Sequence, residues 1–192
     1  TEVVQGVVDH IRRSFDSAEG GFASAPKFPM SNAVTLLIDR YVQTGDRRLL
    51  EMVTKTLDKM AAGGVRDQLS GRFHRYTTDR NWRVPHFEAM LYTQAEVLST
   101  YLDAYALTGN DLYRQVAEDL IAFLKSAFSG PDGGFFATQD ADASPDDDGS
   151  YYTWSVAQVE AAVSAAEADV LKRYYDVRPR GEMADAPRTR DP

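Results

Sequence analysis

The sequence predicts an all-α fold, a curved stack of helical hairpins with short β strands in its long loops. Three observations lead there. Apolar residues recur at helical spacing almost without a break up to Phe128. One tight turn occurs twice, as Tyr41-Val42-Gln43-Thr44-Gly45-Asp46 and as Tyr105-Ala106-Leu107-Thr108-Gly109-Asn110, a repeat of roughly 64 residues. Long glycine-rich passages alternate with those turns: Gly20-Gly21-Phe22, Gly63-Gly64-Val65, and Gly130-Pro131-Asp132-Gly133-Gly134-Phe135. Repeated hairpins with short turns at one end and long loops at the other form a helical array or toroid, whose ligand face is expected at the long-loop end.

Each element has its own pattern. Val4, Val7, Val8, Ile11 and Phe15 make a first stripe, and Val34, Leu37, Ile38, Tyr41 and Val42 a second. Leu49, Leu50, Val53, Leu57 and Met60 make a third. Met90, Leu91, Val97, Leu98, Tyr101, Leu102 and Tyr105 make a long fourth, and Leu112, Tyr113, Val116, Leu120, Ile121, Leu124 and Phe128 a fifth. Val156, Val159 and Val163 suggest a sixth helix, and Val170, Leu171 and Tyr174 a short seventh. In both tight turns the glycine suits the left-handed position after a helix, and Asp46 or Asn110 then caps the next one. Phe73-His74-Arg75-Tyr76 and Ser150-Tyr151-Tyr152-Thr153-Trp154 have the aromatic and threonine content of strands. The pattern runs as one helical domain over 1–177. From Arg178 to Pro192 the chain carries prolines, mixed charge and almost nothing apolar, and reads as a poorly ordered tail or a linker.

Composition narrows the function classes. With 43% hydrophobic residues the 192-residue chain can build a packed core. It contains no cysteine, which removes disulfides and thiolate chemistry and fits a reducing, cytoplasmic setting. A net charge of −8 argues against nucleic acid as a partner, since that binding needs clustered Lys and Arg. No apolar run approaches the roughly 20 residues that cross a bilayer, so no membrane partner is expected.

The most polar part of the helical region runs from Gly63 to Glu88 and mixes histidine, carboxylate, arginine and aromatic rings. A core has no use for that mixture, because unpaired buried polar groups cost free energy; a loop that handles a polar ligand does. The Gly-Gly pairs are not phosphate cradles, since no Gly-x-x-x-x-Gly-Lys-[Ser/Thr] string is present. Asp140-x-Asp142-x-Ser144 begins like a calcium loop, then has Pro145 where glycine is needed and Tyr151 where a glutamate should stand. Neither a metal nor a cofactor is expected.

An ordered set of motifs carries a family resemblance. It comprises Gly20-Gly21-Phe22, Ala25-Pro26-Lys27-Phe28-Pro29, Gly64-Val65-x-Asp67-Gln68, Gly71-x-Phe73-His74-Arg75-Tyr76, Asp79-x-x-Trp82, Pro85-His86-Phe87-Glu88-x-Met90-Leu91-Tyr92, and Asp140-Ala141-Asp142. Together they resemble the YyaL and spermatogenesis-associated protein family, from residue 20 to 154 in the family's order. That resemblance implies an N-terminal thioredoxin-like domain joined to a six-hairpin (α/α) toroid, similar to N-acylglucosamine 2-epimerases, cellobiose epimerases and several glycosidases. The chain departs from the family pattern at Ser70-Gly71-Arg72, Tyr92-Thr93-Gln94-Ala95 and Asp146-Asp147-Asp148-Gly149. It lacks the thioredoxin-like domain and has room for about three hairpins, an incomplete (α/α)6 barrel. It is therefore expected to be a fragment or half of an assembly, with apolar flanks that pair with the rest of the toroid or a symmetry-related chain.

The resemblance implies a carbohydrate or polyol ligand. His86 follows Pro85, which favours a first helical turn, where the dipole keeps an imidazole neutral and able to act as a general base. It can equally brace the loop by hydrogen bonds. His74 and Tyr76 would share one face of a strand, with Phe73 and Arg75 on the other. Asp67 and Glu88 join the two histidines as candidates for acid–base work, with loop capping and salt bridges as the alternative. Candidate ligand contacts are Arg75, Tyr76, Trp82, Phe73, Gln68, Asp140, Asp142, Lys27 and Trp154, the aromatics serving to stack on sugar rings or to plug the loops. Two functions stay open: an epimerase, isomerase or glycosidase, and a non-catalytic binding or scaffolding module beside a thioredoxin-like partner.

Overall fold

A computed structural model describes residues 2–142, 144 and 149–179. Most of the expected 178–192 tail, the residue Pro145 and the run Asp146-Asp147-Asp148 lie outside the described residues. The chain falls into two compact units, Thr1–Gln139 and Asp140–Pro192, where the sequence pattern runs one domain to residue 177.

The first unit is built from α1 (Glu2–Ser14), α2 (Ser31–Thr44), α3 (Arg47–Ala62), α4 (Leu91–Thr108) and α5 (Asp111–Phe123), which ends in a π-helical turn, Leu124–Phe128. α2 pairs with α3 and α4 with α5 as antiparallel hairpins, while α2 and α4 lie side by side. The core between them includes Leu37, Leu57, Tyr101, Tyr113 and Leu120, all fully buried. α1 buries Val8 and Ile11 but leaves Val3, Val4 and Val7 in solvent, so its stripe is half used.

Both tight turns form as their sequence implies, and the role of each residue is visible. Gly45 and Gly109 take φ of 69° and 67°, a left-handed conformation that glycine adopts without a Cβ clash. Their amides donate to Tyr41 O and Tyr105 O, both at 2.8 Å. Thr44 Oγ1 and Thr108 Oγ1 donate back to Arg40 O and Ala104 O. Asp46 then accepts from Arg48 N at 3.0 Å, and Asn110 from Leu112 N at 3.1 Å, capping α3 and α5.

The long loops gather at the opposite end. β1 (Tyr76–Thr77) pairs antiparallel with β2 (Pro85–His86), and β3 (Ala89–Met90) with β4 (Thr138–Gln139). Isolated bridges join Phe15 to Phe22, Lys27 to Thr77, and Arg66 to Phe73. Backbone approach is close here: a Cβ on Gly64 would meet Arg83 O at 2.2 Å, so glycine is required where the two loops cross. Leu91 N, opening α4, donates to Ala137 O.

The second unit holds a 3-10 turn, Ser150–Tyr152, then α6 (Val156–Ala162) and α7 (Ala165–Tyr174). The aromatic run expected as a strand is this turn instead. Gly149 at φ 74° starts it, and Tyr152 N closes onto Gly149 O at 3.0 Å. Capping boxes that the apolar pattern does not reveal start both helices, Ser155 with Gln158 and Ser164 with Glu167. α7 buries Ala168, while Val170 and Tyr174 of the expected stripe are exposed.

Replacing Asn110 with Ala removes the α5 cap and should lower stability by about 1 kcal/mol. Urea unfolding should show a lower midpoint with an unchanged slope.

Candidate functional site

The long-loop end brings together four of the sequence-derived candidates, Arg75, Tyr76, His86 and Glu88. The β1–β2 register sets Tyr76 opposite His86, and their rings stack with centroids 4.9 Å apart and planes 13° apart. Phe28 stacks on the other face of Tyr76, at 4.8 Å and 27°. Glu88 follows β2; its Oε2 lies 2.9 Å from Arg75 Nη1 and 3.7 Å from His86 Nδ1. Among the described residues His86 Nδ1 is buried with no hydrogen-bond partner, while the side chain as a whole keeps 22% exposure. The Arg75 pKa is raised, first by the Glu88 hydrogen bond and then by Tyr92.

His86 does not open a helix. It sits in β2, and α4 begins five residues later at Leu91. Pro85 favours extended backbone as well as a first helical turn, and pairing with Thr77 selects the extended form. The expected helix-dipole effect on His86 therefore falls away.

Beside this row lies a cavity of about 230 Å³, lined by Phe28, Pro29, Met30, Asn32, Arg75, Tyr92 and Glu96 among others. Arg75 lines the cavity and also holds Glu88. The cavity opens at the N-terminal turns of α2 and α4, where neither cap residue, Met30 or Met90, closes the helix with a side chain. Met30 adopts φ 51°, which turns the chain sharply from Pro29 into α2.

Other candidates are engaged within the loops. Asp67 accepts from Leu69 N at 2.9 Å and from Ser70 Oγ at 2.7 Å, an Asx turn. Burial opposes ionisation of Asp67, but these donors outweigh it and its pKa is lowered. Gln68 Nε2 donates to Ala61 O and Gly63 O, both at 3.0 Å, closing the C-terminal end of α3. Phe73 is fully buried against Tyr101. Trp82 is also fully buried, at φ 63°, with Nε1 donating to Glu19 O at 2.9 Å. Lys27 has no exposed surface; its Nζ donates to Asp16 Oδ2 at 2.9 Å and Gly20 O at 2.8 Å. In the second unit, Asp140 and Trp154 are exposed, and Asp142 N donates to Asp140 Oδ1. Among the described residues no group of three or more His, Cys, Asp or Glu side chains is placed to hold a metal ion.

His74 is 3% exposed. The Phe87 carbonyl oxygen lies 3.3 Å from its Nδ1, and Arg72 Nη2 lies 3.4 Å from the same nitrogen. Burial lowers the imidazole from 6.5 to about 4, and the Arg72 charge acts in the same direction. The strand expected at 73–76 begins only at Tyr76, and residues 73 and 74 turn both side chains inward. Their backbone is served by side chains: Gln94 Oε1 accepts from Phe73 N at 2.8 Å, and Gln94 Nε2 donates to Phe73 O at 2.7 Å.

Sequence reasoning missed Gln94, and it missed Asp16. Asp16 accepts from Lys27, from Arg80 Nε at 2.5 Å and Arg80 Nη2 at 2.7 Å, and from Ala18 N and Glu19 N. The Arg80 fork is the largest influence holding its carboxyl well below the usual range. Asp16 stands among ordinary helix-end polar residues, so no local signal marks it.

The stacked hairpins and knitted long loops define a wall of the (α/α)-toroid class. Cellobiose 2-epimerase from Bacillus thermoamylovorans matches at TM-score 0.63 and 12% identity, covering 72% of this chain and 40% of that one. A sugar epimerase from a ruminal bacterium matches at TM-score 0.63 and 16% identity, with the same coverage. No family model matches the sequence. Human spermatogenesis-associated protein 20 is 36% identical over 189 residues, 88% of this chain and 24% of that protein. The chain belongs to the spermatogenesis-associated protein 20 family and spans about a quarter of the length of the curated relatives it matches.

The state of His74 gives a pH prediction. The unfolded chain takes up a proton near pH 6.5 that the folded chain resists until about pH 4. Stability from neutral His74 is therefore complete above 6.5 and is lost as pH falls toward 4. His74→Gln should flatten the stability curve across that interval, read by urea unfolding at successive pH values.

Proposed function

We propose that this chain forms part of a carbohydrate-binding toroid enzyme that moves a proton at a sugar carbon, as an epimerase or isomerase does. The observation that carries this reading is the row Tyr76–His86–Glu88–Arg75 at the long-loop end. His86 is the proton acceptor: its ring lies flat on Tyr76, partly exposed, with a carboxylate near Nδ1. That carboxylate stabilises the imidazolium formed when the ring takes a proton, and Arg75 fixes the carboxylate in place. The neighbouring cavity offers Phe28 and Tyr92 as faces for a sugar ring and Arg75, Asn32 and Glu96 as hydrogen-bonding groups for its hydroxyls.

A hydrolase is less well supported, because glycoside hydrolysis needs two carboxyls facing each other across the bond. Of the proposed acid–base pair, Asp67 is engaged by its own turn. The remaining hairpins of the longer protein would complete the cavity, and a thioredoxin-like domain would accompany it in the cytoplasm. Among the described residues no helix is long and apolar enough to cross a membrane.

The test is full-length protein assayed against a panel of reducing sugars, with His86→Gln and Glu88→Gln beside wild type. Loss of a general base should lower kcat by about 100-fold or more with the melting temperature unchanged. Turnover unaffected by both substitutions would refute the assignment. Sugar binding without turnover in wild type would favour the non-catalytic binding module.

A further inference from the structure

We propose that Asp16 is a positioning residue for His86, acting through a closed circuit of contacts that fixes the Phe28–Tyr76–His86 stack. The consequence for turnover rests on the catalytic reading of His86; the circuit itself does not.

The circuit can be followed contact by contact. Asp16 is 3% exposed and binds Lys27 Nζ at 2.9 Å. The Lys27 backbone is locked to β1 by two hydrogen bonds, Lys27 N to Thr77 O at 2.8 Å and Thr77 N to Lys27 O at 2.9 Å. The next residue, Phe28, supplies the outer ring of the stack. From Tyr76 and Thr77 the chain runs through the turn closed by Thr78 N and Val84 O, and returns along β2 to His86. Arg80 stands in that turn, and its fork returns to the same Asp16 carboxylate. One carboxylate thus grips the segment that carries Phe28 and the hairpin that carries Tyr76 and His86.

Stacked rings have a shallow preference for any one offset, and a two-residue antiparallel pair slides easily when isolated. Charge-assisted hydrogen bonds in a nearly dry site are short and directional. Sliding Lys27 off Asp16 within this buried site would leave charge without its partner. The ion cluster therefore sets the offset that the rings by themselves leave loose, and the hinge of that control is Arg80, whose side chain is 55% exposed and replaceable.

The experiment reads the ring-current shift of the His86 imidazole in full-length protein labelled at histidine, with the signal assigned by its loss in His86→Gln. Stacking on Tyr76 displaces that signal upfield. Arg80→Gln leaves the Asp16–Lys27 pair intact and so keeps the fold; it should move the His86 signal toward its unstacked position. Asp16→Asn should move it further where that variant folds. Leu57→Val, a core change in α3, is the control and should leave the signal in place. An unmoved signal in Arg80→Gln overturns the proposal, and so does an equal movement in Leu57→Val. If Arg80→Gln moves the signal while His86→Gln leaves turnover intact, the positioning role stands and the proposed reaction falls.

Discussion

A carboxylate at Asp16 faces an ammonium with no exposed surface, and the loop end of this unit is arranged around that fact. Removing one partner of a buried pair typically costs about 3–5 kcal/mol, because the other is left charged and dry. Such a pair persists where the remaining hydrogen-bonding capacity is also met. Here Gly20 O takes a second Lys27 proton, and Ala18 N, Glu19 N and Arg80 fill the carboxylate. The result joins the loop after α1 to the loop between α3 and α4. Long loops that touch only solvent would have no fixed shape.

The same solution recurs through the loop end, with side chains standing in for strand partners. Gln94 serves both backbone groups of Phe73, and Asp79 accepts from Asn81 N, Arg83 N and Val84 N inside the β1–β2 hairpin. Gln68 takes up carbonyls at the end of α3, where a helix leaves its last acceptors unmet. Arg72 is 1% exposed and reaches Phe87 O and Gln139 Oε1. Polar residues that look catalytic in sequence are thus divided between two duties. Most hold the loops; of the few left at the surface, Arg75 and Tyr92 line the cavity, and Glu88 and His86 follow Arg75 in the adjoining row.

That division explains which parts of the candidate site were legible. The motif string located the loop end correctly because its glycines and aromatics are local in sequence. It did not separate Lys27, Trp82 and Asp67 from His86 and Glu88, since burial depends on what packs above a residue from elsewhere in the chain. Trp82 has the composition of a stacking platform, yet it lies under Gly21 and Gly63, where a Cβ on either would come within 2.8 Å of its atoms. The 73–76 segment has strand composition, but Phe73 finds Gln94 and a bridge to Arg66, and His74 N donates to Val65 O, rather than a full neighbouring strand. Asp16 and Gln94 carried no local mark of these roles because Arg80 and Phe73, the partners that define them, lie far along the chain.

By itself the sequence determined the helices of the first unit, the two Tyr-x-x-Thr-Gly-[Asp/Asn] turns with their caps, and the placement of the long loops at one end. Each of these rests on contacts within a few residues or on a periodic apolar face, and both are written along the chain. Only the tertiary structure decided that His86 lies in a strand rather than a helix, that His74 is buried and Lys27 is dry, and that Glu88 stands between an arginine and an imidazole. Those outcomes depend on segments distant in sequence meeting in space, and burial and electrostatic partnership are properties of that meeting rather than of any residue alone.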